Sequence, residues 1–148
     1  MTTTTPPTGV TLVQAAVMLA AHLADHTLPE PWSLGVNTSN GHSAVTAQLC
    51  SHTVSTVARD LLAWVDTFDV VTVQAWRVST GDHVQLSIAS TLTGAAGTVE
   101  LDVFGAVQHD PVRFADLKAG DRRKVSLGQL RTWATSSRTL DGPGASDD

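Results

Sequence analysis

His22 and His26, four residues apart with Asp25 between them, are the sharpest chemical signal in the chain. At i and i+4 on a helix, two imidazoles share a face and can ligate one Zn²⁺. The acid in the fourth place of His22-Leu-Ala-Asp-His26 matches the inverted zinc-protease pattern H-x-x-E-H, with Asp replacing Glu. A metal-dependent hydrolase built on His22 and His26 is therefore one reading of the chain. Three features oppose it: Asp is a methylene shorter than the catalytic Glu, the motif falls in the last helical turn before Pro29, and no downstream acid has the context of a further ligand. Histidine near a helix C-terminus also interacts favourably with the helix dipole, which is reason enough for both residues.

The other chemistry-bearing residues are scattered. His42, His52, His83 and His109 fall in or beside loops without metal-ligand spacing. Gly94-Ala95-Ala96-Gly97 lies between strands, lacks a lysine and precedes no helix, so it reads as a turn rather than a phosphate loop. No G-x-S-x-G elbow occurs. Cys50 is the single cysteine; it has no base partner and no disulfide partner, and reads as a buried thiol. Beyond the histidine pair nothing nominates an enzyme, which leaves that question open with a non-enzyme favoured, and no cofactor is expected.

The elements that must position these residues are plainer. Leu12, Val13, Ala15 to Ala20, Leu23 and Ala24 cover most of a helix from about Thr11, a plausible N-cap, to Asp25. That is more apolar surface than one sheet face needs, so a second subunit or the C-terminal segment is expected to cover it. Val54, Val57, Ala58, Leu61, Trp64, Val65 and Phe68 follow the i, i+3, i+4 spacing of a second helix. Around it lie five alternating segments: Trp32–Val36, Val45–Leu49, Val70–Arg77, Val84–Thr91 and Thr98–Val107. Asn40-Gly41 joins the first two as a hairpin turn. The order α-β-β-α-β-β-β predicts a two-layer α+β fold, a largely antiparallel five-stranded sheet with two main helices on one face. Beyond it, Asp110-Pro111 starts one or two helical turns through Leu117, Arg122–Val125 reads as a short basic edge strand, and Ser126 with Gln129 caps a short last helix.

Helices on one side leave the other sheet face open, displaying Thr46, Gln48, Thr72, Gln74, Trp76, Gln85, Ser87, Thr98, Glu100, Asp102 and Phe104. Trp76 and Phe104 are exceptions on that polar surface, and with Gln74 they form a candidate interaction surface for a protein partner or a second copy of the chain. Aromatics on an open sheet also stack bases in single-strand binders, but Glu100 and Asp102 on the same face repel phosphate. Basic residues concentrate late: residues 1–109 carry two Lys or Arg against eight acids, residues 110–138 seven against three. Arg122, Arg123 and Lys124 are the candidates for a nucleic-acid alternative.

At 148 residues and net charge −5 the chain suits one domain. The expected boundaries are a disordered tail over 1–10, one α+β domain over 11–134 with a basic subdomain over 110–134, and a disordered tail over 135–148. No apolar run reaches the ~20 residues that span a bilayer, and no Lys or Arg precedes Arg59, which leaves a cytoplasmic protein without membrane contact as the expectation. The phrase Leu19-Ala-Ala-His-Leu-Ala-Asp-His-Thr-Leu-Pro-Glu-Pro31, followed by a Trp-led strand and by Leu61-Leu-Ala-Trp-Val-Asp66, resembles small uncharacterised proteins of high-GC actinobacteria and their mobile elements. The resemblance implies a bacterial source and no activity. The sequence thus points to a non-catalytic interaction or accessory module that self-associates.

Overall fold

A computed structural model of the chain describes residues 10–39, 42–50, 52–79 and 82–141. Helix α1 (Leu12–Asp25) begins with the reciprocal cap its sequence encodes. The Thr11 hydroxyl accepts from the Gln14 N–H at 3.1 Å, and the Gln14 side chain accepts from the Thr11 N–H at 2.9 Å. Strands β1 (Ser33–Ser39) and β2 (His42–Gln48) form a hairpin closed by the pair Ser39 and His42. The predicted turn residues Asn40 and Gly41 lie outside the described residues. Helix α2 (Val54–Val65), capped by Thr53, leads into the meander β3 (Thr72–Arg77), β4 (His83–Gly94) and β5 (Gly97–Gln108).

The fold is α+β, as expected, but the sheet has six strands rather than five, in the order β1-β2-β5-β4-β3-β6. The added strand, β6 (Arg122–Val125), pairs with β3 and makes a paired edge of the basic segment. One pairing is parallel, β2 with β5. A three-strand meander ends pointing as it began, so its last strand meets the hairpin running the same way. Inward-facing residues align across this seam: Ala47, Val103, Ile88, Val73 and Val125 occupy one register row, and all five are buried. That shared apolar row fixes the register, because a one-residue slip would turn every side chain to the opposite face.

Helices α1 and α2 lie over this inward face, and a third helix, α3 (Leu127–Asp141), packs along α2. The sequence suggested only a short terminal helix ending at 134. Leu130, Trp133 and Ala134 are buried, and the helix is described through Asp141. Phe114 meets Trp133 edge to face with centroids 5.4 Å apart. The helix expected from Pro111 to Leu117 is instead a run of turns, in which Asp110 Oδ1 accepts from the Val112 N–H at 2.9 Å. Phe114 and Leu117, buried from this segment, anchor it as a loop. At the other end Val10, placed in the tail by its sequence context, is buried and accepts a hydrogen bond from Ser43 through its carbonyl. Residues 1–9 and 142–148, the rest of the expected tails, lie outside the described residues.

Candidate interaction surface

Strand alternation decides what the uncovered face carries. One row runs Gln48, Phe104, Ser87, Gln74, Lys124 across β2, β5, β4, β3 and β6. The next runs Ala106, Gln85, Trp76, Arg122. On the other side of the first row come Thr46, Asp102, Ala89 and Thr72, then Ala44, Glu100 and Thr91. The three expected residues Trp76, Phe104 and Gln74 therefore share this face, with Phe104 and Gln74 in one row. Both aromatics are half-buried by their sheet neighbours. The segment between β5 and β6 folds toward the opposite side, where Arg77 donates to the Leu117 carbonyl at 3.1 Å and Arg123 pairs with Asp116. No described element covers the outer face.

The basic triplet is divided by the same alternation. Arg122 and Lys124 reach the outer face, whereas Arg123 points to the inward side and its hydrogen bond holds the exposed Asp116 carboxyl below the usual carboxylate range. The Arg122 guanidinium lies 4.7 Å from the Trp76 ring centroid, a cation–π contact that covers part of the indole. Asp102 is half-buried, and desolvation raises its pKa although Arg122 pulls the other way. Among the described residues the ion pairs are Arg113 with Asp110 and Arg123 with Asp116; Glu100, Asp102, Arg122 and Lys124 are in neither. A shallow basin of about 680 Å³ opens beside Asp102, walled by Thr46, Thr72, Gln74, Thr91 and Glu100. The face is thus polarised, acids at β5 and bases at β6, with aromatic, amide and small side chains between. That β6 pairs with β3 and delivers Arg122 to Trp76 was not readable from sequence; the only available signal was that Val125 must face inward, which sends Arg122 outward.

The histidine pair stands at the C-terminal end of α1. α1 ends at Asp25, and His26 is its C-cap with an extended backbone, φ −132° and ψ 147°. The rings lie 4.4 Å apart, and His22 stacks on Phe68 at 4.8 Å with an interplanar angle of 5°. The Thr67 hydroxyl donates to the Trp64 carbonyl at 2.7 Å, so it accepts the Nε2–H of His22 at 2.9 Å. His26 Nδ1–H donates to the His22 carbonyl at 3.0 Å. Burial, and then the nearby His26, lower the His22 pKa, favouring a neutral ring. Thr67 has its hydroxyl proton committed to a carbonyl, so His22 does not activate it as a nucleophile. A cleft of about 550 Å³ lined by Met18, His22, His26 and Phe68 borders the pair, but among the described residues no three His, Cys, Asp or Glu side chains form a metal-binding group.

Two further surfaces differ from expectation or extend it. Cys50, read as buried, is exposed, because β2 ends at Gln48 and Leu49 takes the last inward position. Helix α1 buries Ala15 and Leu19 but leaves Val13 73% and Val17 61% exposed on a helix without a charged residue before Asp25. α3, a candidate cover, packs on α2 instead. No described helix is long and apolar enough to cross a membrane.

Compared with protein-family models, with curated proteins and with solved structures, the chain matches none.

Proposed function

We propose that this protein is a non-catalytic interaction module that self-associates and works through its open sheet face. The observation that carries the proposal is the pair Trp76 and Phe104, half-exposed on a six-stranded face that no described element covers. Aromatic residues and arginine are the side chains enriched at protein interfaces, where a large rigid surface is desolvated at low entropic cost. The charge-free exposed side of α1 supports association as well, since large apolar patches on soluble chains mark contact surfaces. In this reading the setting is a bacterial cytoplasm, where the lone thiol of Cys50 stays reduced.

Light scattering over a micromolar concentration series, combined with hydroxyl-radical footprinting read by mass spectrometry, tests the proposal. The expected result is a mass above the 15.5 kDa of one chain, with Trp76 and Phe104 increasingly protected as concentration rises. A single-chain mass throughout, with both side chains freely oxidised, overturns it.

A further inference from the structure

The outer sheet face carries its own electrostatic complement. On β5 stand Glu100 and Asp102; on β6, beyond β4 and β3, stand Lys124 and Arg122. At about 4.8 Å per strand and about 3.4 Å per residue, the backbone positions of the acids and bases are displaced by roughly 14 Å across the sheet and roughly 14 Å along it, while the long Arg122 side chain leans over Trp76 toward the acids and its charge reaches Asp102. A surface that pairs with itself about a two-fold axis must place residue i against residue j and j against i. This face can meet that condition: a two-fold that bisects the line between the acid pair and the base pair carries each pair over the other, so that each carboxylate faces both Arg122 and Lys124 of the second copy.

We propose that the occupant of the open face is a second copy of the chain, seated about a two-fold axis so that Glu100 and Asp102 of each copy meet Arg122 and Lys124 of the other. The proposal rests on the self-association reading above and specifies its geometry. A two-fold lying between the stacked sheets and bisecting the diagonal from acids to bases passes over the gap between β4 and β3, beside Ser87, Ala89, Gln74 and Thr72. The equal displacements across and along make the strands of the two copies cross at near right angles, one of the two established ways for sheets to stack. The centre of the contact is then Ser87, Ala89, Gln74 and Thr72, with Phe104 and Gln85 beside them, and none of these brings a charge to be desolvated. The ionic groups flank this centre, the bases on the edge strand β6 and the acids on β5, the third strand of six.

The available area is adequate. Six strands at about 4.8 Å and some seven residues at about 3.4 Å give roughly 700 Å², close to the ~800 Å² that each partner contributes to a standard interface. Charge selects this occupant over single-stranded nucleic acid. A phosphate chain drawn to Arg122 and Lys124 would have to pass Glu100 and Asp102, where repulsion removes what the bases supply.

Charge reversal tests the pairing. Sedimentation equilibrium is measured on the native chain, on Arg122→Glu/Lys124→Glu, on Glu100→Lys/Asp102→Lys, and on an equimolar mixture of the two variants, with folding checked by circular dichroism. Each variant alone is expected to associate at least tenfold more weakly than the native chain, and the mixture to recover, because in a mixed pair both charge contacts become attractive. Should Asp102→Lys prevent folding, Glu100→Lys alone, at an exposed position, takes its place. A native chain that associates equally well with and without the reversals, and dissociates only on Val13→Glu/Val17→Glu, overturns this geometry while leaving self-association intact. A native chain that stays monomeric overturns both. A monomer that retards a fluorescent oligothymidylate at low salt, with the shift lost in Arg122→Glu, overturns both in favour of nucleic acid.

Discussion

Gly105→Ala is the substitution for which the structure supplies the most definite magnitude. Gly105 lies on β5 between Phe104 and Ala106 but faces inward, under α2. A Cβ there would stand 2.8 Å from Val57 Cγ1 and 3.0 Å from Cγ2, whereas carbon atoms in favourable contact are about 3.5–4.0 Å apart. Val57 is fully buried, and a β-branched residue in a helix has one strongly preferred rotamer, so its methyl groups have nowhere to turn. The strand and helix must separate by several tenths of an ångström. Overpacking of this kind costs about 1–3 kcal/mol. Gly105 is not among the positive-φ glycines, so alanine fits the backbone and recovers about 0.4–1 kcal/mol by restricting the unfolded chain. The net expectation is a loss of between about 0 and about 2.6 kcal/mol, centred on about 1.3 kcal/mol. Val57→Ala alone removes two buried methyl groups and should cost about 2 kcal/mol including the cavity. In the double variant the new methyl occupies the vacated space, so the loss should be smaller than the sum of the singles by at least about 1 kcal/mol. Urea unfolding followed by far-ultraviolet circular dichroism, at a fixed protein concentration, measures all three. A Gly105→Ala that gains stability, or a double variant additive within about 0.5 kcal/mol, would refute the close seating of α2 on β5.

Two further predictions concern titration. The His22 pKa is depressed below its ordinary 6.5, chiefly by burial, so the neutral ring stabilises the fold fully above pH 6.5 and progressively less as pH falls through the depressed value. Melting temperature should therefore drop more steeply between pH 6.5 and 5 for the native chain than for His22→Gln; parallel curves would sink the assignment. Asp102 has the opposite sign: burial raises its pKa, so its contribution is greatest when protonated and declines as pH rises through its unfolded value toward the raised one. Asp102→Asn should raise the melting temperature at pH 7 at concentrations too low for association, while weakening self-association at higher ones. A lowered melting temperature in dilute solution contradicts this account.

Local chemistry made much of the fold legible. Thr11 and Gln14 close the first helix because both side chains reach backbone groups within one turn. The period of two in Val84–Ile88 and Val99–Val103 sorts the residues of each strand between faces, so Trp76, Phe104 and Gln74 could be assigned to the outer side before any pairing was known. Where judgement depended on how far a local pattern continues, it failed. Asp110-Pro111 has the chemistry of a helix start, yet burying Phe114 and Leu117 against the rest of the fold outweighs the propensity of a single turn.

By itself the sequence determined α1, α2 and β1 to β5, their order and which side of each strand is polar, because these follow from hydrogen bonds and side-chain directions within a few residues. Only the tertiary structure decided that β5 returns beside β2, that β6 attaches to β3, and that Arg122 consequently lies over Trp76 while Arg123 does not. Strand order is a contest among non-local pairings whose apolar rows must match across the whole sheet, and alternation within one strand carries no record of its neighbour. The polarity of the outer face, acids on β5 and bases on β6, is a property of that order.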